Sequence, residues 1–191
     1  MFAVVSANAQ NTIDFGVKAG ITVSNIKKAD GLIGFTLGTT ANYGLSKALF
    51  LQSGLFLITK GYSTTYIGVS SSKDKTTVRP IFLQLPIHLA YKINVGQNSK
   101  IVFNAGPYLA YGLGGKIKNA PPEGCLIIEK QPVFDKYNGF KRFDYGLGFG
   151  TGMEFGKLGF NVGYDLGLVD LSRDDISAKL NCLSITAAYK Y

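Results

Sequence analysis

The sequence predicts an all-β protein, an eight-stranded antiparallel up-and-down transmembrane β-barrel. Two features of the chain lead to this prediction. Large apolar residues recur at every second position in eight segments, and the connections between these segments alternate between short and long. The composition agrees, because 24 glycines, 13 phenylalanines and 11 tyrosines suit short strands and tight turns better than helices.

The clearest alternation is FDYGLGFGTGMEF, from Phe143 to Phe155. One parity is apolar apart from a threonine, and the other is glycine with Asp144 and Glu154 near its ends. A period of two predicts a strand. The glycine face is too small for a water-facing surface and too charged for a core. The combination is typical of a transmembrane barrel, which is apolar toward lipid and small or polar toward a narrow lumen.

The same alternation predicts strands at about residues 12–24, 34–43, 48–61, 81–92, 101–114, 143–155, 158–168 and 179–191. Strands of this length can cross an apolar band of about 25 Å when they are tilted. The connections at 44–47, 94–100 and 156–157 are short, whereas those at 25–32, 62–79, 115–138 and 170–178 are longer. Short inner turns and long outer loops are the outer-membrane pattern. The connection lengths therefore predict that the protein lies in an outer membrane of the Gram-negative type, with both of its termini in the periplasm.

Residues 1–9 are predicted to be the remnant of a secretory signal peptide, and residues 10–191 to form the barrel domain. Residues 2–5 would be the end of an apolar core. The run Ala7-Asn8-Ala9 matches the small-x-small cleavage pattern, so the mature chain would begin at Gln10. Because the basic segment is missing and the apolar core is short, a disordered leader stays an alternative.

The net charge of +8 raises the question of nucleic acid, but the basic residues are scattered rather than striped along one element. No nucleic-acid binding is therefore predicted. Anionic lipid and lipopolysaccharide headgroups around the barrel rim explain a basic surface better. The chain has two cysteines and one histidine, His88, which lack the number and spacing of a structural zinc site. No metal, cofactor or catalytic residue is predicted.

Several segments resemble a known family. These are GVKAGITVSNI from Gly16, LQLPIHLAYK from Leu83, NAGPYLAYGLGG from Asn104, FDYGLGFGTG from Phe143 and the ending ITAAYKY. Together they resemble the PorT-type outer-membrane β-barrel family over residues 12–191. The resemblance implies a small eight-stranded outer-membrane barrel. Some members of that family are tied to protein secretion, but these motifs are strand patterns and define no site for that role.

Charged residues with inward parity form a predicted lumen network. Its members are Lys18, Lys60, Lys92, Arg142, Asp144, Glu154 and Asp165, to which Asp14 and Lys190 can be added. An eight-stranded barrel is barely wide enough for side chains to fill it, so these charges must be paired or hydrated. A plug of ion pairs is the favoured interpretation, and an ion path is the alternative. His88 also points inward, where a hydrogen-bonded filler is favoured over a catalytic base.

Two further predictions concern the ends of the barrel. Cys182 lies near the outer end of the last strand and Cys125 in the longest loop, so a Cys125–Cys182 disulfide could tie that loop across the mouth; two free thiols are the alternative. The alternating aromatic ending, with Tyr189 and Tyr191, resembles the signal that outer-membrane insertion machinery recognises.

The sequence thus predicts a non-enzymatic outer-membrane protein that is structural or binds a protein partner through its long outer loops at 62–79 and 115–138. Two alternatives are a narrow pore and a soluble ligand-binding barrel of lipocalin type, in which the apolar face would point inward.

Overall fold

The computed structural model describes residues 13–26, 30–67, 73–120, 129–134, 141–171 and 179–191. These residues form ten strands: β1 (Ile13–Asn25), β2 (Asp30–Gly44), β3 (Leu49–Thr59), β4 (Tyr62–Ile67), β5 (Lys73–Asn94), β6 (Ser99–Ala120), β7 (Glu129–Pro132), β8 (Phe143–Phe155), β9 (Leu158–Gly167) and β10 (Asn181–Lys190). Within the described ranges, no helix is long and apolar enough to cross a membrane. The predicted signal at Ala7-Asn8-Ala9 lies outside them, and its cleavage stays a prediction.

Eight of these strands close a ring. Each pairs antiparallel with its neighbours in the order β1, β2, β3, β5, β6, β8, β9 and β10. The ring is closed because β10 also pairs with β1, with Val17 opposite Tyr189. The predicted fold class, a closed eight-stranded antiparallel barrel, is confirmed.

The other two strands extend the barrel at one end. β4 continues β3 after a break at Lys60 and Gly61 and pairs with both β2 and β5, whereas β7 pairs with the last part of β6. The sequence predicts loops over residues 62–79 and 115–138, and this extent is wrong because strands occupy part of both ranges. Threonine-rich runs such as YSTTYI and KDKTTV favour strands but do not alternate between apolar and polar residues. A prediction that relies on the alternation of lipid-facing residues therefore misses these strands.

The outward face is apolar from one end of the ring to the other. Phe15, Phe35 and Phe160 are 58%, 52% and 56% exposed, far more than a soluble protein allows for so many large apolar side chains. Exposed aromatic residues also lie near both ends, with Tyr91 and Tyr189 at one and Tyr111 and Tyr145 at the other. The lipocalin-like alternative is wrong, because its apolar face would point inward.

The three short connections lie at the same end as both termini of the barrel. Residues 45–48 and 95–98 join β2 to β3 and β5 to β6, and Gly156 has the left-handed φ of 57° in the two-residue turn between β8 and β9. The backbone N–H of Lys190 donates to the carbonyl of Lys157 at 2.8 Å, and that of Tyr191 to Phe15 at 3.0 Å. We call this the turn end and the opposite end, with β4 and β7, the loop end.

Candidate functional site

Glycine on the inner face of β8 makes room for large side chains that cross the lumen. A Cβ added at Gly148 would lie 2.6 Å from Nε2 of His88, and one at Gly146 would lie 2.8 Å from the hydroxyl of Tyr108. Both distances are too short for real contacts. The inward glycines of β8 therefore leave space that other side chains fill, and they do not line an open channel.

The loop-end half of the lumen is an apolar plug. Phe82, Tyr108, Leu171, Leu180 and Cys182 are at most 1% exposed and pack in one cluster. Phe134, just after β7, adds an edge-to-face contact with Phe82 at 5.8 Å between ring centroids. This packing closes the lumen on the side of the long connections.

A buried ion cluster lies directly under the plug. The Lys60 ammonium is 3.5 Å from Asp144 Oδ2 and 3.6 Å from Asp165 Oδ2, and it lies over the Tyr108 ring at 4.1 Å. The Tyr108 hydroxyl donates to Asp144 Oδ2 at 3.3 Å, and Gln84 Nε2 donates to Asp165 Oδ2 at 2.9 Å. The side chains of Lys60 and Asp144 are fully buried. Each charge therefore has an opposite charge and a further polar or aromatic partner, as burial requires.

A second ion cluster lies at the turn end. Glu154 accepts from Lys92, with Nζ 3.0 Å from Oε1, and it also pairs with Lys190. The Lys92 ammonium lies over the Phe50 ring at 4.3 Å. One carboxylate thus holds together side chains from β5, β8 and β10.

Between the two clusters is a cavity of about 140 Å³, and most of the residues that line it are polar. Lys18 reaches it from β1 and lies 5.8 Å from the Phe56 ring, without a carboxylate within ion-pair distance among the described residues. His88 also borders it, and its Nε2 atom has no hydrogen-bond partner in the described part of the chain. The hydroxyls of Ser53 and Ser184 donate to the backbone carbonyls of Pro86 and Gly163, so neither donates to His88.

Arg142 does not belong to the lumen network, and its predicted place was wrong. It is exposed, donates to the carbonyls of Gly112 and Phe134 at 3.0 and 3.4 Å, and places its guanidinium 5.2 Å from the Phe134 ring. Arg142 precedes the first residue of β8, so strand parity no longer determines its direction. Asp14, at the other end of the barrel, is exposed as well.

Cys182 is buried in the plug, with its sulfur 3.8 Å from the carbonyl of Leu183. Cys125 lies outside the described residues, so the Cys125–Cys182 disulfide stays a prediction. In the described ranges, no three His, Cys, Asp or Glu residues lie close enough together to hold a metal ion.

One group of functional candidates was missed by sequence reasoning. Arg79, Lys116 and Lys118 are exposed on the loop-end extensions of β5 and β6. All three lie in segments that the sequence predicts to be loops, so their place on strands was not expected. The alternating basic residues of KIK at 116–118 were the available signal.

The fold is similar to solved outer-membrane barrels. A major outer membrane protein from Thermus thermophilus is 16% identical, with 94% of this chain and 100% of that chain covered and a TM-score of 0.55. Neisserial surface protein A is 13% identical, with coverages of 94% and 97% and a TM-score of 0.49. Ail, the attachment invasion locus protein of Yersinia pestis, in complex with the heparin analogue sucrose octasulfate, is 12% identical, with coverages of 94% and 99% and a TM-score of 0.44. At these identities the similarity concerns the fold alone.

No curated protein sequence matches this one. The model of the outer membrane protein beta-barrel domain family matches residues 8–173, which contain every strand from β1 to β9. The match covers most of the chain and agrees with the closed barrel and its apolar outward face. The chain therefore belongs to the outer membrane protein beta-barrel domain family.

Proposed function

We propose that this protein is a non-enzymatic outer-membrane barrel that binds a partner through a loop-end sheet. The loop-end sheet is defined here as β4, residues 73–80 of β5, residues 115–120 of β6, and β7. The observation that carries the proposal is that the strands of this sheet remain paired beyond the apolar belt, by which we mean the outward apolar face of the eight ring strands. β5 and β6 are each 22 residues long, whereas β8 has 13 residues. A paired sheet is largely pre-formed, so a partner would not have to order it on binding.

The finer placement of the chain is part of the same proposal. The loop end would face the outside and the termini the periplasm, after a signal peptide ending at Ala9 has been removed. Tyr189 and Tyr191 would be contacts for the insertion machinery. The strand motifs support membership of the PorT-type group, and a secretion role is not proposed because no motif in this chain defines it.

The proposal is tested by photo-crosslinking in intact cells. A crosslinking residue at Lys118, exposed on the loop-end sheet, should give a discrete adduct, whereas one at Lys47, exposed in a turn at the other end, should not. A second variant replaces residues 65–75 with Asn-Gly, which joins Thr64 directly to its pairing partner Thr76 through a two-residue turn. The Lys118 adduct should disappear in that variant while the barrel still folds. An adduct that survives the shortening, or equal adducts from Lys47, would contradict the proposal.

A narrow pore is a second candidate, which the cavity between the two ion clusters favours. The plug argues against it, since Phe82 and Tyr108 are fully buried across the lumen. We therefore expect only rare, small openings of the reconstituted protein in planar bilayers. The double variant Phe82→Ala/Tyr108→Ala should open more often, because it removes both rings. Large and stable conductance steps in the unchanged protein that vanish on substitution of Lys60 or Asp144 would instead establish a pore.

A further inference from the structure

The charged side chains inside the barrel do not balance. Among the residues that the structure describes, four lysines enter the lumen against three carboxylates: Lys18, Lys60, Lys92 and Lys190 against Asp144, Asp165 and Glu154. Asp14 shares their inward parity but is exposed at the turn end. Every ion pair of these carboxylates is made with a lysine other than Lys18. One positive charge of the lumen therefore has no ion-pair partner in the described part of the chain.

Lys18 lies on a side of the cavity whose polar groups are not used within the protein. Asn42 of β2 and Gln52 of β3 line the same cavity and lie directly opposite one another. Among the described residues, no hydrogen bond or ion pair involves the side chain of Lys18, Asn42 or Gln52. An amide side chain can donate two hydrogen bonds and a lysine three. This side of the cavity therefore offers a cation and two amide groups to a bound molecule.

The polar groups on the other side of the cavity are already engaged. In the ring order, β2 lies across the lumen from β8, and β3 lies across from β9. Glu154 of β8 and Asp165 of β9 each pair with a lysine, while Asn161 and Ser184 donate to backbone carbonyls. An anion in the cavity would be repelled by these carboxylates and attracted by Lys18. The charges therefore favour an anion on the side of β1, β2 and β3.

The size and lining of the cavity restrict the kind of anion. Its volume is about 140 Å³, and an engineered protein cavity of about 150 Å³ takes up benzene, a molecule of about six non-hydrogen atoms. Phe56, Ile58 and Val102 add buried apolar side chains to the lining. The centre of the Phe56 ring is 5.8 Å from the Lys18 ammonium, so an apolar and a cationic surface are neighbours. A short anion with an apolar part matches this arrangement.

The cavity approaches solvent at the turn end. The side chains of Glu154 and Lys190, which line it there, are 12% and 16% exposed. At its other end, Lys60 and Asp144 are fully buried beneath the apolar plug. A ligand would therefore enter from the turn end.

We propose that this cavity binds a small monocarboxylate of up to about six non-hydrogen atoms. Its carboxylate lies against the Lys18 ammonium and its apolar part against the Phe56 ring. A single negative charge matches the single unpaired lysine, whereas inorganic phosphate would bring about two charges and no apolar part. The site lies within the barrel, apart from the loop-end sheet, and does not depend on which end of the barrel faces outside.

The test adds sodium butyrate to the purified full chain in zwitterionic detergent and follows backbone amide shifts by NMR. Amides of β1, β2 and β3 beside the cavity should shift in a saturable way. A Kd of about 1 mM is expected for a ligand of this size with moderate binding efficiency. Lys18→Met should weaken binding about tenfold or more, because it removes a charge-assisted hydrogen bond. The matched control Lys47→Met removes an exposed lysine at the turn end and should change the Kd less than about twofold.

Two further probes identify what is recognised. Butyramide has the shape of butyrate without its charge and should bind about tenfold more weakly or less, as the loss of the same charged contact requires. It also controls for uptake of the probe by the detergent. Inorganic phosphate should bind more weakly than butyrate, because it leaves the apolar lining without a contact.

Folding of each variant is checked by its mobility shift between unheated and boiled gel samples, and Lys18→Gln serves if Lys18→Met does not fold. Equal binding of butyrate and butyramide, or equal losses in the Lys18 variant and the Lys47 control, would overturn the proposal. Tighter binding of phosphate than of butyrate would overturn it as well. The same holds if no saturable shifts occur up to about 100 mM butyrate, a hundredfold above the expected Kd, because Lys18 would then be only hydrated. No variant changes the loop-end sheet, so failure here leaves the crosslinking test unaffected.

Discussion

Replacing Lys60 with methionine should lower the free energy of unfolding by about 3–5 kcal/mol, the usual cost of removing one partner from a buried ion pair. Lys60 is fully buried and is the cation for both Asp144 and Asp165. In its absence, Tyr108 is the one hydrogen-bond donor left to Asp144 among the residues that the structure describes, while Asp165 keeps Gln84. The measurement is denaturant unfolding in phospholipid vesicles, followed by circular dichroism.

Two further variants separate lost pairing from lost packing. Lys60→Met/Asp144→Leu removes both charges of the most buried pair and should recover much of the loss, since apolar replacements of a buried pair are often neutral or stabilising. Lys47→Met, an exposed lysine in a turn, should change stability by less than about 0.5 kcal/mol. If Lys60→Met were as stable as the unchanged protein, the ion cluster would have no part in holding the barrel together.

The barrel was predictable from the sequence because lipid imposes a two-residue period on each strand that crosses it. The segment 143–155 was predicted with the bounds that β8 has in the structure. Where the chain leaves the apolar belt, this constraint ends. The predicted segments at 81–92 and 101–114 consequently fell short of β5 and β6, which extend to Lys73 and Ala120 on the loop side.

Strand parity predicts the direction of a side chain but not its height in the lumen. It placed Lys60, Asp144 and Asp165 inside, yet their contact depends on the stagger between strands, which the alternation does not encode. The same limit applies to the pairing of Arg79 with Lys116. Arg79 and Lys116 are neighbours only because of a register irregularity between Ile81 and Phe82, which shifts the pairing of β5 with β6.

Replacing Leu85 with arginine should lower the free energy of unfolding by about 2–4 kcal/mol, the cost of an arginine near the bilayer midplane on the lipid face of a barrel. Leu85 is 38% exposed on the outward side of β5, opposite Leu109 of β6, and lies midway along the apolar stripe that runs from Ile81 to Tyr91.

The matched control is Val95→Arg, just past the end of the same strand at the turn end, where the side chain is 52% exposed. An arginine there is at the interface and should cost only about 0–1 kcal/mol, because its guanidinium can reach headgroups and water. Both variants are unfolded by denaturant in vesicles of one lipid composition. The difference between their unfolding free energies then reports the depth of the arginine in the bilayer. Equal costs at the two positions would mean that β5 does not cross the bilayer as its apolar stripe requires, and the transmembrane placement of the barrel would have to be abandoned.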